Sequence, residues 1–496
     1  MCGILGLLLS GDVQSGQLAP LALDCLTALQ HRGTEGSGLV ATDGKMQSHF
    51  EIFKGHGLVR DVYTTESLSR FNESIAMVGH NRYSTAGMKA AINCIQPFVL
   101  HTTVGLIAIA HNGELVNAGK RRAMVLREGV GLSTDTDSEL IGQMITKTIA
   151  QNMKCRGRDA RDYGDISREL AATMANLELS YSLLVMTYDR IYALRDPYGN
   201  RPLCIGTMYS TNSTLDAKGT KGNTNQLLGY IAASESCAFP AGTVFHSEVE
   251  PGEMVEISRQ GVKSIWQMVP KTPAFCIFEY VYFARPDSIL EGGQQVHTVR
   301  RECGKILAQE SHVDADIVST VPDSAIAASI GYADESGIRY EQVLQRNSYV
   351  GRSFIQPSNL LRQSSIIKKF GVMAGNVTGK RIILVDDSIV RGNTMRIIVR
   401  LLRDYGAKEV HLRIASPALR NPCFMGINIP NVNELIAANR TIDEISEKLG
   451  ADSIAYLSVE GLEKAVQSGL HKKEAKHIGH CTACLTGLYP VPIEEF

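Results

Sequence analysis

The sequence predicts an α/β chain of two or more domains, the later one built on a doubly wound parallel sheet. Three observations carry this. Residues 380–394, KRIILVDDSIVRGNT, place four apolar residues, Ile382 to Val385, in the pattern of a short buried strand, followed by a loop containing Gly392. Helical spacing over 395–405, a stop at Gly406 and a second strand over 409–415 complete a βαβ unit. A second strand–loop–helix edge lies upstream: a strand over 316–320, the turn Val321-Pro322-Asp323-Ser324, and an alanine-rich helical stretch. The third observation is length, since 496 residues exceed what one hydrophobic core usually organises.

Bulk composition removes several function classes. Hydrophobic content of 44% and charged content of 20% are ordinary for a globular protein. A formal net charge of −1 gives no global attraction to nucleic acid or membrane. No apolar run reaches the roughly 18–20 residues of a membrane span. The start, Met-Cys-Gly, has no basic leader, so a cytoplasmic chain is expected. Its eleven cysteines are then reduced, and a subset is free for catalysis or metal binding.

The loop after 382–385 carries chemistry. It sits at the carboxyl end of a parallel strand, where open α/β sheets bind ligands. Its N–H groups and the helix start can face a phosphate. Asp386 and Asp387 can hold ribose hydroxyls or Mg²⁺. Two acids and a glycine alone could equally be a solvated turn. The full string VDDSIVRGNT, however, resembles the phosphoribosyl-diphosphate (PRPP) motif of type I phosphoribosyltransferases. That resemblance implies PRPP contacts for Asp386, Asp387, Ser388, Arg391, Gly392, Asn393 and Thr394. It implies a pyrophosphate cradle at Asp323 and Ser324, and Mg²⁺ held by Ser324, Asp386 and Asp387. Residues 346–370, with Arg346, Arg352, Arg362, Lys368 and Lys369, read either as a solvated face or as a lid over PRPP.

At the other end, removal of Met1 would expose Cys2 with its own base, because an α-amino group titrates near about pH 7.7–8.0. The plain alternative is a small residue opening a strand. The segments LQHRGTEGSG (29–38), GHNRYSTAG (79–87), AHNGELVN (110–117) and TDSE (136–139) occur in that order, followed by RDPYGNRPL (195–203). With Cys2 they resemble the class II glutamine amidotransferases, which are N-terminal-nucleophile (Ntn) hydrolases. The resemblance implies an αββα sandwich containing 181–186 and 191–194 as strands, and Cys2 attacking the glutamine amide. It implies an oxyanion hole from Asn112 and Gly113, with Arg82 on the α-carboxylate and Asp137 on the α-ammonium of glutamine. Thr34 and Gly36 depart from the commoner residues of that pattern, as Ser348 does in the later domain. Residues 210–225, rich in Ser, Thr, Asn, Lys and Gly, read as an exposed loop.

Cys481-Thr482-Ala483-Cys484 is a lone CxxC that by itself could be redox-active, zinc-binding or neither. The aromatic run 274–288, AFCIFEYVYFARPDS, reads mostly as core, and it resembles a segment of the amidophosphoribosyltransferase family, which joins both domain types. The iron–sulfur branch of that family implies a [4Fe–4S] cluster on Cys276, Cys423, Cys481 and Cys484, with zinc the lesser alternative. Cys25, Cys94, Cys155, Cys204, Cys237 and Cys303 read as buried small hydrophobes. The resemblance implies a glutaminase domain over 2–265, a phosphoribosyltransferase domain over 266–450 and a cluster-bearing segment over 451–496. It implies the first committed purine step: glutamine, PRPP and water give phosphoribosylamine, glutamate and pyrophosphate. Purine-nucleotide feedback and a homotetramer follow as expectations. The competing reading is a non-catalytic relative that binds PRPP or nucleotides as a sensor.

Overall fold

The computed structural model describes every residue except 12, 14, 15, 17, 47, 84–90, 156–164, 211–213, 216–220, 223–225, 348, 350–367, 430, 471–478, 495 and 496. The expected loop over 210–225 and lid over 346–370 therefore lie largely outside the described residues. The lid stretch is bracketed by an antiparallel ribbon in which Leu344–Arg346 pairs with Phe370–Val372.

The first half is two stacked antiparallel sheets. One runs Thr243–Glu248, Cys204–Tyr209, Leu227–Ala233, Gly3–Leu9, Ala76–Arg82, Gly36–Thr42, Glu51–His56 in spatial order. The other runs Gly261–Gln267, Glu253–Ser258, Arg190–Arg195, Tyr181–Met186, Gly105–Gly113, Phe98–Thr102. Strand alternation explains the layering. From Gly3–Leu9, Ile4 and Leu8 face the opposite sheet with Ala108, Ala110, Leu184 and Ile191. Leu5, Leu7 and Leu9 face outward onto the helix Leu18–Ala28. On the far side, Ile107 and Ile109 pack under the helices Asp137–Cys155 and Ser167–Met174. Helices cover both outer faces, so the layer order is αββα. Gly36 has a local reason: a Cβ there would lie 2.7 Å from Ile95 Cδ1 and 3.0 Å from Gly55 O. Ile95 fills the space that a serine side chain would need.

The second half is a parallel sheet in the order Ile317–Thr320, Arg381–Asp386, Glu409–Ile414, Ser453–Tyr456. Tyr340 bridges the free side of Ile317–Thr320 in parallel. With it, the sequence order across the sheet is 2-1-3-4-5, and the reversal falls between Ile317–Thr320 and Arg381–Asp386. That switch point is where ligands settle in doubly wound sheets. The expected division at residue 450 falls before Ser453–Tyr456, which is an edge strand of this sheet, so the sheet continues into 451–496. Four strand residues with little hydrophobic contrast gave no strand signal of their own. The flanking helices Val296–Glu310 and Ile326–Ser336 meet backbone to backbone. A Cβ on Gly304 would lie 1.8 Å from Ala328 O, and one on Gly331 1.9 Å from Arg301 O. This contact fixes the turn 321–324 against the sheet. The C-terminal segment is tied back by parallel pairing of Phe275 with His480 and Cys276 with Cys481.

Candidate active sites

Cys2 begins the strand Gly3–Leu9, in the middle of the seven-stranded sheet. Its backbone N–H donates to Asn112 Oδ1 at 3.1 Å. Its sulfur lies 3.5 Å from both Tyr83 N and Tyr83 O. Asn112 and Gly113 end the strand Gly105–Gly113 in the other sheet, so the two sheets bring Cys2 and Asn112 together from opposite sides. The Asn112 Nδ2 group is buried and has no partner among the described residues. A buried amide donor without an acceptor is costly unless something arrives to accept from it. Gly113 has φ of +145°, and a Cβ there would lie 2.1 Å from Ser180 O. Loss of solvent pushes the Cys2 thiol up, and the nearby Asp137 charge adds to this. The Met1 α-amino group, enclosed at 1% exposure, is pushed down by burial to about 5.

Asp137, at the start of its helix, accepts from Leu115 N–H at 2.9 Å and borders a cavity of about 660 Å³. Asn117 lines the same cavity, with Phe424 and Asn428 from the second half opposite. Arg82 is buried at the end of its strand, with Nη1 3.4 Å from Ala91 O. A Cβ on Gly33 would sit 2.6 Å from the Arg82 carbonyl, so the His31-Arg32-Gly33 turn needs glycine to approach that strand.

Arg32 is fully buried and donates through Nε to the Cys2 carbonyl at 2.9 Å. Its other N–H groups engage Glu279 at 3.0 and 2.8 Å and Glu235. The carboxylates raise the Arg32 pKa, and the Arg32 and His31 charges hold Glu235 well below the usual range despite burial. Arg201 faces Glu279 at 3.8 Å and donates to Met425 O at 3.0 Å. Sequence reading passed over Glu279, Arg201 and Glu235. A lone acid inside the apolar run FCIFEYVYF was the available signal.

A run of aromatic rings leads away from Cys2. The Tyr83 ring meets Phe283 at 6.4 Å, and Phe283 meets Phe278 at 6.0 Å. At the end of this segment Arg300, buried, donates to Tyr280 O and Ala284 O at 2.7 and 2.8 Å. Asp387 counters the burial that lowers the Arg300 pKa. The aromatic turn thus has Cys2 at one end and the acid pair near the other.

The acid pair ends the strand Arg381–Asp386, at the switch point. Ser324 Oγ and Ser388 Oγ donate to Asp387 at 2.5 and 2.6 Å. Asp387 N–H donates to Asp386 Oδ1 at 3.0 Å. Loss of solvent raises both carboxyl pKa values, and the Asp387 charge raises Asp386 further. Two carboxylates that resist joint ionisation are relieved by a divalent cation, so the donor set fits Mg²⁺. Gly392 (φ +75°) starts the helix Asn393–Asp404, turning its first N–H groups toward this edge. Two expected PRPP contacts point elsewhere: Arg391 pairs with Glu434 at 2.6 Å, and Asp323 pairs with Arg346 at 2.5 Å.

Cys276, Cys423, Cys481 and Cys484 converge from three segments. Arg420 N–H and Asn421 N–H both donate to Cys484 O at 3.0 Å, holding the Cys423 loop against the CxxC turn. Burial pushes the Cys276 thiol up to about 11 and Cys481 to about 12, and Cys484 stands well above its ordinary value. Each neighbouring cysteine adds to the shift, so the four could ionise together only around a cation, and as a donor set they fit a thiolate-bound metal centre. Among the described residues, only His31, Glu235 and Cys237 place three potential ligand atoms within 4.8 Å of one another, so no three of the four thiols are that close. The His31 trio is no cation site, because Glu235 is already held by Arg32. His480 turns to Glu291 at 2.8 Å and away from a ligand role. Cys25, Cys94, Cys204 and Cys303 are buried and Cys237 is partly buried; the Cys155 side chain lies outside the described residues.

Residues 299–418 match the family described as a phosphoribosyl transferase domain. Amidophosphoribosyltransferase of Mus musculus is 48% identical over 99% of this chain and 98% of its own length. The Bacillus subtilis protein of that name is 40% identical, covering 100% of this chain and 95% of its own. A solved B. subtilis glutamine PRPP amidotransferase, complexed with ADP and GMP, superposes with a TM-score of 0.83 at 38% identity, covering 100% of this chain and 98% of that one. Near-complete coverage at this identity, over a sandwich and a doubly wound sheet in the same order, shows that the chain belongs to the amidophosphoribosyltransferase family.

Proposed function

We infer that the family's reaction, the first committed step of purine synthesis, runs here at two sites joined by the aromatic segment. Glutamine, PRPP and water give 5-phosphoribosylamine, glutamate and pyrophosphate. The observation that carries this reading is the unpartnered Asn112 Nδ2 beside the Cys2 backbone. Loss of Met1 would leave Cys2 with a free α-amine beside its own thiol, close enough to serve as the base. The thiolate attacks the glutamine amide carbon, and the amine passes the thiol proton to the leaving nitrogen. Asn112 Nδ2 and the Gly113 N–H stabilise the oxyanion as its charge develops. Ammonia leaves, and water cleaves the thioester to glutamate. Asp137 and Arg82 are the groups suited to the ammonium and carboxylate of glutamine.

Ammonia is mostly protonated in water near neutral pH, and the apolar wall of Phe278 and Phe283 favours the neutral, nucleophilic form. It adds to C1 of PRPP as pyrophosphate departs. Asp386, Asp387 and Ser324 would hold Mg²⁺, which neutralises pyrophosphate. The turn at Gly392, Asn393 and Thr394 offers N–H groups to the 5′-phosphate, with Ser388 beside it. Arg391 and Asp323 reach PRPP once Glu434 and Arg346 release them.

Cys276, Cys423, Cys481 and Cys484 would hold a [4Fe–4S] cluster that supplies cohesion between the C-terminal segment and both halves. Thiol spacing supports the cluster over zinc: one tetrahedral zinc needs sulfurs about 3.8 Å apart, from Zn–S bonds of about 2.3 Å. The domain limits near 265 and in the 450s, a cytoplasmic location, a tetramer and nucleotide feedback belong to the same reading. Feedback is supported by the ADP and GMP bound to the B. subtilis relative. Among the described residues no helix is long and apolar enough to cross a membrane.

Cys2→Ala is expected to abolish glutamine-dependent pyrophosphate release and to leave ammonia-dependent release intact. Loss of both would rule out two separable sites, and release of no pyrophosphate by the wild type with either nitrogen source would favour a sensor. For Asp386 the sign follows from its raised pKa: its stabilising contribution is full below the unfolded value of about 4 and lost as pH rises through the folded one. Asp386→Asn should therefore melt higher than the wild type at pH 8 without Mg²⁺, by about 2–4 °C per kcal/mol relieved. Only the wild type should gain from Mg²⁺; a lower-melting variant would contradict the assignment. Anaerobically purified protein should be brown with about four irons per chain, and Cys423→Ala should lose the colour. A colourless zinc protein would refute the cluster.

A further inference from the structure

We propose that Glu279, which lies in the segment opening the phosphoribosyltransferase half, is a positioning residue for the Cys2 nucleophile. The proposal rests on Cys2 being that nucleophile and adds a requirement drawn from the other half of the chain. Arg32 holds the Cys2 carbonyl through Nε at 2.9 Å. Its Nη1 and Nη2 grip the two oxygens of Glu279 at 3.0 and 2.8 Å. A bidentate carboxylate fixes the plane of a guanidinium, and the plane fixes where Nε–H points. Arg32, Glu279, Glu235 and Arg201 are each 0% exposed, so water cannot replace a lost partner.

The charges balance only as a set. Two guanidiniums, Arg32 and Arg201, face two carboxylates, Glu279 and Glu235. Neutralising Glu279 leaves the two cations with one buried anion, which already bonds His31, Ser288 Oγ and Arg285 N–H. Arg32 must then turn toward Glu235, and its Nε leaves the Cys2 carbonyl. Cys2 is otherwise anchored by its own N–H to Asn112. With the carbonyl released, the sulfur shifts against Asn112 Nδ2, the donor that must meet the oxyanion. None of these four groups hydrogen-bonds Asp386 or Asp387; the link to the acid pair runs through Arg300, which feels the charges of both Glu235 and Asp387.

The test compares wild type, Glu279→Gln, Glu279→Asp and Cys2→Ala as full-length proteins with the metal centre loaded. Pyrophosphate release is measured with glutamine and with ammonia, together with the rate at which a diazoketone analogue of glutamine alkylates Cys2. Glu279→Gln should lower glutamine-dependent kcat and the alkylation rate by about 100-fold, as expected for a small misplacement of a reacting atom. The KM for glutamine and the ammonia-dependent rate should stay within about threefold of wild type. Glu279→Asp, which keeps the charge, should recover part of the alkylation rate. It also carries the test should Glu279→Gln not fold, a deficit in alkylation with normal ammonia use then supporting the role. Unchanged alkylation, or equal loss of both activities, would overturn the proposal. Glutamine-dependent turnover surviving in Cys2→Ala would instead remove the nucleophile on which it rests.

Discussion

The buried guanidinium of Arg32 is the constraint on which the molecule turns. One planar group bonds the carbonyl of Cys2, Glu235 from the sandwich and Glu279 from the segment leading into the second half. Such pairs add little net stability, because desolvation offsets most of the attraction. Their value is directional. A hydrophobic seam could slide by an ångström at small cost, whereas a bidentate fork cannot. Joining the halves here fixes the backbone at Cys2, the proposed nucleophile.

The rest of the seam follows from that anchor. Glu279 starts the turn Glu279–Phe283, whose aromatic rings run from Tyr83, beside the Cys2 sulfur, toward Arg300 and the acid pair. The doubly wound sheet sets Asp386, Asp387 and Ser324 at its switch point because the chain reverses direction across the sheet at Tyr340. The four cysteines close the arrangement from behind. Arg201 links them to it, since Cys276 and Cys423 raise the same guanidinium that faces Glu279. A metal centre held by these thiols would stabilise the wall against which the Cys2 end of the sandwich is built.

Most of this was legible in the sequence where chemistry is local. The loop VDDSIVRGNT carries strand, acids, glycine and helix start within a few turns of chain, and the structure assembles them as read. Cys2, Asn112 and Gly113 were found by motif and meet across two sheets. What stayed hidden depends on contacts remote in sequence. Glu279 reads as an oddity in a core run until Arg32, some 247 residues away, is seen beside it. The strand Ser453–Tyr456 has too few residues to announce itself, and it joins the sheet from beyond the expected division at residue 450. Gly36 looked like a departure from pattern, and Ile95 shows it to be a packing choice. Arg391 and Asp323 were assigned to PRPP by position, yet each rests on a surface partner here.

In the proposed reaction, ammonia moves between the two sites without entering solvent. Glutamine-dependent pyrophosphate release measured in the presence of an enzyme that rapidly consumes free ammonia distinguishes this from passage through solvent. With an enclosed passage, the trap leaves turnover with glutamine unchanged while abolishing turnover with added ammonium salt. If the trap suppresses both to the same extent, ammonia passes through bulk water and the seam described here is not a conduit.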